Sequence, residues 1–287
     1  MSHTQPHAQN FIIPFTFDNM AIRGKFLRFT NLKEACPSLA INNKTTDTLL
    51  NMLLTCAITV QDFKTGSSMT LQIQNAESGA LFVANCNEQG HLKAYANETA
   101  QQSTFESHSE QGATFAATVY RNEQVYQSFI PMEYKTITKA IEAYFTHSVQ
   151  ADTQLRVWTH EEGENLTCSA LFLQTLPEDE DKKTPDDWQR TAMLLDTVKQ
   201  EEANTLMPAE LLYRLFHEDE TRLFEAMPLD FKQDNPRDRM ATALISLGEA
   251  TCREMLQEGD ITMQDAYTGT EETFTEEDIT TLFAHKH

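Results

Sequence analysis

The run PEDEDKKTPDD at residues 177–187 divides this chain into two parts that must fold by different rules. It joins charge to Pro and offers almost nothing to bury, so it reads as a boundary between compact elements. Before it, the apolar residues recur mainly at the period of strands. SSMTLQIQN sets Met69, Leu71 and Ile73 on one face and Thr70, Gln72 and Gln74 on the other, the alternation of a half-buried strand. ALFVANCNEQGHLKAYA and ATFAATVYRNEQVYQSFIP each hold two β-rich runs around a polar, turn-capable centre, and QLRVWTHEEGENLTCSALFLQ does the same around Gly163, so all three predict hairpins. Two helical patterns interrupt them. Residues 45–60 place Leu49, Leu53, Cys56 and Val60 on one stripe, and TITKAIEAYF places Ile137, Ala140, Ile141, Tyr144 and Phe145 on another. Each is expected to pack on a sheet by that stripe. Helices and adjacent hairpins in this order predict an α+β fold with antiparallel sheets rather than a doubly wound parallel sheet.

Beyond the boundary the patterns are helical. Asp186 or Asp187 caps a predicted helix carrying Trp188, Ala192, Leu195 and Val198, and Pro208 opens another carrying Leu211, Leu212, Leu215 and Phe216. DETRLFEA, residues 219–226, reads as a third short helix ending before Pro228. Further on, Asn235 suits an N-cap, Pro236 the first helical position, Met240, Leu244 and Leu247 an apolar stripe, and Gly248 the C-terminal turn. A helix through Met255 and Leu256 stops near Gly259; ITMQDAYTGTEETF reads as a hairpin, and Thr275 and Asp278 start a last helix through Ile279, Leu282 and Phe283. The organisation read from this is an α+β domain over residues 1–176, a helical linker over 177–231, and a small helix-and-hairpin domain over 232–287.

Charge and cysteine usage narrow the function. With 22 basic and 43 acidic residues the net charge is −21, which repels phosphate backbones and anionic lipid, so nucleic acid and membranes are not expected partners. The N-terminus lacks a basic segment followed by a long apolar one, and no apolar run approaches the ~20 residues that cross a bilayer, so a soluble, cytoplasmic protein is expected. Cys36, Cys56, Cys86, Cys168 and Cys252 are scattered, with no Cys-x-Cys or Cys-x-x-Cys, as buried thiols of a reducing compartment would be. No histidine sits in metal-ligand spacing inside a stable element, and no nucleophile triad, phosphate-cradling Gly loop or paired-carboxylate arrangement is identifiable. Neither catalysis nor a cofactor is expected.

Taken in order, LQIQNAESGALFVANCNEQGHLKAYAN, YQSFIPMEYKTITKAIEAYFTHSVQADTQLRVW, LFLQTLPED with DDWQR, ELLYRLFHEDETRLFE and FKQDNPRDRMATALISLGE resemble the redox-regulated 33-kDa heat-shock holdase chaperone family of bacteria. The likeness runs from about residue 11 to residue 283. It implies an ATP-independent protein that holds unfolding clients, with a C-terminal zinc domain built from a Cys-x-Cys and a later Cys-x-x-Cys pair. In the family, oxidation of those thiolates releases the metal, unfolds the linker and exposes the client surface.

Anchored by Phe231, PRDR, Ile261, Met263, Tyr267 and Phe274, the four cysteine positions fall on Gln233, Asn235, Asp265 and Thr268. Gln, Asn and Thr are neutral, weakly coordinating donors and Asp265 alone offers a charge, so no metal is expected. Structural zinc can stabilise a small fold by about 10 kcal/mol or more. Here the expected substitutes are the Asn235 cap, worth about 1 kcal/mol, and a small core of Met240, Leu244, Leu247, Leu256, Ile261, Phe274 and Phe283. A folded but marginal domain should result. Cys252 beside Arg253, and the 11 methionines, are the remaining oxidant handles, each expected to be structural. The implied client-binding candidates are Trp188, Leu195, Val198, Leu211, Leu212, Leu215 and Phe216, with unfolded or partly folded proteins as partners and a homodimer as assembly. The alternative is an adaptor or scaffold derived from the same fold that recognises one folded partner.

Overall fold

A computed structural model describes residues 10–36, 39, 43–63, 65–102, 104–110, 112–121, 124–163, 165–176, 185–231, 235–265 and 270–284. Gln233, Tyr267, Thr268 and the 177–184 portion of the expected boundary lie outside the described residues. The chain divides into two units, Met1–Phe231 and Lys232–His287.

The first unit is α+β, as its alternations predict. One sheet is built on β1 (Phe11–Phe17) and β2 (Ile22–Phe29), which continue into β8 (Thr153–Glu162) and β9 (Asn165–Thr175) in the order β1-β2-β9-β8. The second sheet has the order β5-β4-β3-β6-β7, from β3 (Ser68–Gln74), β4 (Leu81–Asn87), β5 (His91–Ala96), β6 (Thr114–Arg121) and β7 (Gln124–Ile130). All three predicted hairpins form: β4 with β5, β6 with β7, and β8 with β9.

Short helices α1 (Leu32–Ala35) and α3 (Phe105–Glu110) join these strands, and α2 (Asn43–Val60) and α4 (Ile137–Tyr144) are the two long predicted ones. Thr136 caps α4 by accepting from the Lys139 amide, and a π-helical turn over Phe145–Val149 ends it. Instead of presenting one stripe, α2 is buried almost all round: Leu50, Met52, Leu54 and Ile58 are as enclosed as Leu49 and Leu53. It packs on β3, β4 and β5, while Lys25 of the first sheet reaches its end, donating to the Ile58 carbonyl at 2.5 Å and pairing with Asp62 at 2.7 Å. A helix apolar on every side belongs between layers. Burial pulls the Lys25 ammonium below its usual range, and Asp62 opposes that shift.

Because β1 and β2 are covered on both faces, they read as nearly continuous apolar runs. Ile12, Leu27 and Phe29 enter the core shared with α2, whereas Phe11, Ile13, Phe15, Phe17 and Phe26 point to the opposite face. Gly24 stands opposite Phe15 across the ladder, and a Cβ there would lie 2.1 Å from the Phe15 ring, so the missing side chain is what lets that ring lie across β2.

The segment read as linker continues the same unit. It forms α5 (Pro185–Leu195), α6 (Gln200–Thr205) and α7 (Pro208–Leu215), then three short strands, β10 (Thr221–Leu223), β11 (Met227–Pro228) and β12 (Asp230–Phe231). The expected helix over 219–226 is therefore corrected: residues 221–223 form a strand and the flanking residues are irregular. The outer edge of β1 supplies unpaired backbone groups, and β10 and β11 satisfy them in antiparallel register. A ladder of that kind outweighs the few tenths of a kcal/mol per residue by which DETRLFEA favours a helix.

The C-terminal unit holds α8 (Pro236–Leu247), α9 (Glu249–Met255), the hairpin β13 (Ile261–Gln264) with β14 (Glu271–Phe274), and α10 (Glu276–Ala284). Its core is Met240, Leu244, Cys252, Ile261, Phe274 and Ile279, with Leu256, Met263, Leu282 and Phe283 partly buried against it. Leu247, expected in that core, is 52% exposed, because the last turn of α8 runs past so small a cluster. No helix among the described residues is long and apolar enough to cross a membrane.

Candidate functional site

The linker residues named from the sequence converge on one place. Leu195, Val198, Leu211, Leu212 and Phe216 are buried, and Trp188 and Leu215 partly buried, in a cluster with Phe11, Ile13, Phe15, Phe17, Phe26, Leu171 and Leu173 of the first sheet. All seven candidates thus lie against the sheet face that points away from α2. Phe216 makes an edge-to-face contact with Phe17 at 5.0 Å between ring centroids, a geometry that aligns ring edge and π face. Detachment of α5–α7 would bare two complementary apolar surfaces together.

Polar contacts that periodicity does not signal hold this cover. Arg28 on β2 is buried on the covered face, where it donates to the carbonyls of Ala203 and Leu206 at 2.5 and 2.7 Å and to Ser169 Oγ at 3.2 Å. Its guanidinium lies 5.1 Å from the Phe26 ring centroid. The carbonyls sit at the C-terminal end of α6, the negative end of its dipole, which suits a cation. Burial draws the Arg28 guanidinium down to about 10.

At the other end of the cover, Arg190 of α5 grips Asp219 with two bonds of 2.8 Å, and the hydrogen bond to Arg190 holds the Asp219 carboxyl below its usual range. Beyond it the chain is stitched strand by strand. Asp18 N–H donates to the Glu220 carbonyl and Phe224 N–H to that of Pro14; β12 then pairs in parallel with β5 of the second sheet. Gly90 makes this last pairing fit, at φ +80°, where a Cβ would lie 2.4 Å from the Pro228 carbonyl oxygen. Residues 221–231 therefore engage both sheets.

A second apolar surface stays open. On β7, the outermost strand of its sheet, Val125 and Phe129 are 64% and 65% exposed on one face, where Tyr120 stands directly across from Val125, and Tyr126, 56% exposed, alternates to the other. The segment QVYQSFI contains no charge, in a chain whose residues are 23% charged. Its β-rich run announced a strand; nothing in the sequence announced that the strand would lie at an edge.

Of the residues standing at the expected metal positions, Asn235 and Asp265 are described. Asn235 spends its side-chain oxygen capping α8, accepting from the Arg237 amide at 3.1 Å. Asp265 is buried, and its amide closes the hairpin by donating to the Thr270 carbonyl at 2.8 Å. With one carboxylate and no thiolate or imidazole at these positions, the donor chemistry does not fit a closed structural zinc site. Among the described residues no group of three or more His, Cys, Asp or Glu is placed to hold a metal ion.

The thiols are sequestered as well. All five cysteines are buried, and burial raises the Cys56, Cys86, Cys168 and Cys252 thiols, Cys86 to about 12. Cys252 Sγ lies inside the C-terminal core, 3.3 Å from the Leu244 carbonyl. Since the thiolate is the reactive form, such burial disfavours reaction while the fold persists. A chromogenic disulfide reagent is expected to find no fast-reacting thiol in the native chain and all five after denaturation. Fast labelling of Cys252 in the native state would contradict its burial.

Fold and site together define a class: an α+β protein that keeps a large apolar sheet face beneath its own linker and carries a separate small C-terminal unit. The family model described as Hsp33 protein matches residues 10–275, and the chain belongs to that family. Proteins named 33 kDa chaperonin are similar over nearly their whole length. That of Pectobacterium carotovorum subsp. carotovorum (strain PC1) is 29% identical over 281 residues, covering 95% of each chain. That of Pseudoalteromonas translucida (strain TAC 125) is 29% identical over 283 residues, covering 96% of this chain and 99% of the other. The solved 33 kDa chaperonin (heat shock protein 33 homolog) of Thermotoga maritima superposes with a TM-score of 0.71 at 17% identity, covering 96% of this chain and 98% of that one, which shows the shared fold.

Proposed function

We propose that this Hsp33-family member is an ATP-independent holdase chaperone that works without a zinc–thiol switch. The observation that carries the reading is the apolar face of the first sheet, covered by α5–α7 through packing, Arg28 and the β10–β12 stitching. Heat or another unfolding stress loosens such a cover, because its hold is the sum of weak terms with no covalent lock. The released face and the stripe carrying Trp188, Leu195, Val198, Leu211, Leu212, Leu215 and Phe216 then bind exposed apolar segments of unfolding clients. Val125, Tyr126 and Phe129 supply apolar contact before any opening. The protein acts in the cytoplasm as a homodimer, catalyses no reaction and needs no cofactor; buried thiols are at home in that reducing compartment.

Light scattering of a thermally unfolding client tests this. Suppression should appear with temperature and be the same in reductant and in oxidant. Protection that appears only after oxidation, through disulfides, would rule the proposal out. So would recovery of one stoichiometric native partner in place of many unfolded ones, the result expected of an adaptor.

A further inference from the structure

The C-terminal unit contains a hub that its hydrophobic pattern does not announce. Arg237, in the first turn of α8, donates to Glu272 Oε2 at 2.9 Å and to the Thr273 carbonyl at 3.0 Å on β14. It pairs with Asp278 Oδ1 at 2.7 Å in the first turn of α10, and its guanidinium lies 4.6 Å from the Phe274 ring centroid. Asp278 in turn accepts from the Thr275 amide at 2.8 Å and hydroxyl at 2.9 Å, which caps α10. One side chain thereby ties together the start of α8, the second strand of the hairpin and the start of α10. Its planar fork and cation–π face allow contacts that a compact ammonium cannot make together.

We infer that Arg237 is the cross-link of this unit, a charge node that joins segments distant in sequence. The inference rests on the reading that the unit holds no zinc. Among the described residues, six buried apolar side chains make the core, few for a unit held by packing alone. The surroundings of the node are strongly acidic: Glu271 and Glu272 lie on β14, and Glu276, Glu277 and Asp278 in the first turn of α10. With Arg237 in place, Glu272 and Asp278 are attracted to a common cation; without it, these carboxylates face one another and repel. Salt screens both effects, with a Debye length of about 10 Å at 0.1 M and about 3 Å at 1 M. Attraction in the native chain and repulsion in a neutral variant must therefore respond to salt in opposite senses.

Hydrogen exchange over residues 235–284 of the full chain tests this with Arg237→Met, Arg237→Lys and the native residue at low and high sodium chloride. At low salt the native unit should be protected and the Arg237→Met unit should lose protection. Raising salt should close that gap, and Arg237→Lys should fall between the two. Where Arg237→Met keeps measurable protection, a gap unchanged by salt would reduce Arg237 to space-filling and overturn the inference, as would full protection of Arg237→Met at low salt. If Arg237→Met is unprotected at every salt concentration, Arg237→Lys decides: protection counts for the node, its absence against. Loss of native protection on adding a metal chelator would instead refute the zinc-free reading on which the inference stands.

Discussion

Phe216→Ala is expected to release the linker from the sheet while leaving the α2 core intact. The side chain is 1% exposed and lies edge-on to Phe17, so truncation removes a fully buried ring and leaves a cavity between α7 and β1. Such substitutions cost about 3–5 kcal/mol, which in a domain of this size lowers the first thermal transition by on the order of 10 °C. The loss should be local. Amides of residues 208–223 should exchange faster at temperatures where α2 remains protected, and suppression of client aggregation should begin at a correspondingly lower temperature. If α2 loses protection in parallel, the cover and the core are one cooperative unit, and opening of the linker cannot be the activating step. If the linker loosens but client protection does not move, the covered face is not the binding surface.

Arg28→Ala is the second large effect, and its sign depends on two opposing terms. The native guanidinium is buried with no carboxylate partner among the described residues, so its removal relieves a desolvation cost, visible in its downward shift to about 10. Against that, the carbonyls of Ala203 and Leu206 and the Ser169 hydroxyl all lose their donor inside the covered face. Each buried acceptor left unsatisfied costs about 1–3 kcal/mol, and there are two carbonyls, so the loss prevails. We expect net destabilisation of about 2 kcal/mol, roughly thirtyfold in the opened population. Opening should be detected as earlier client binding and faster exchange of residues 200–206. Arg28→Lys should fall between, since a single ammonium cannot span both carbonyls and the hydroxyl as the fork does. Unchanged exchange of α6 in Arg28→Ala would show that packing alone retains the cover.

The two substitutions also separate what was legible in the residues from what was not. Phe216 could be chosen from the amino-acid order, because helical spacing puts it with Leu211, Leu212 and Leu215. Arg28 could not. In IRGKFLRF it reads as a surface charge on a strand, and its burial comes from α6, which arrives 175 residues later to offer two carbonyls. Arg237 follows the same logic in the C-terminal unit: PRDR announces a helix start, but Glu272 and Asp278 are brought to it by the hairpin and by α10. Open Val125, Tyr126 and Phe129 were hidden for a related reason, since alternation does not tell a central strand from an edge one.

Local periodicity and covalent chemistry were enough to establish the α+β class, the three hairpins of the first unit, the hairpin of the second, the Asn235 cap and the absence of a thiolate ligand set. Each depends on residues a few positions apart, or on donor atoms that no fold can supply if the sequence lacks them. Tertiary structure alone decided that α2 is enclosed almost all round, that residues 221–223 are a strand and that Leu247 is outside its core. Spacing records which face of an element is apolar. It does not record how many neighbours will cover that element, and those neighbours set both the backbone pairing at an edge and the environment of a charge.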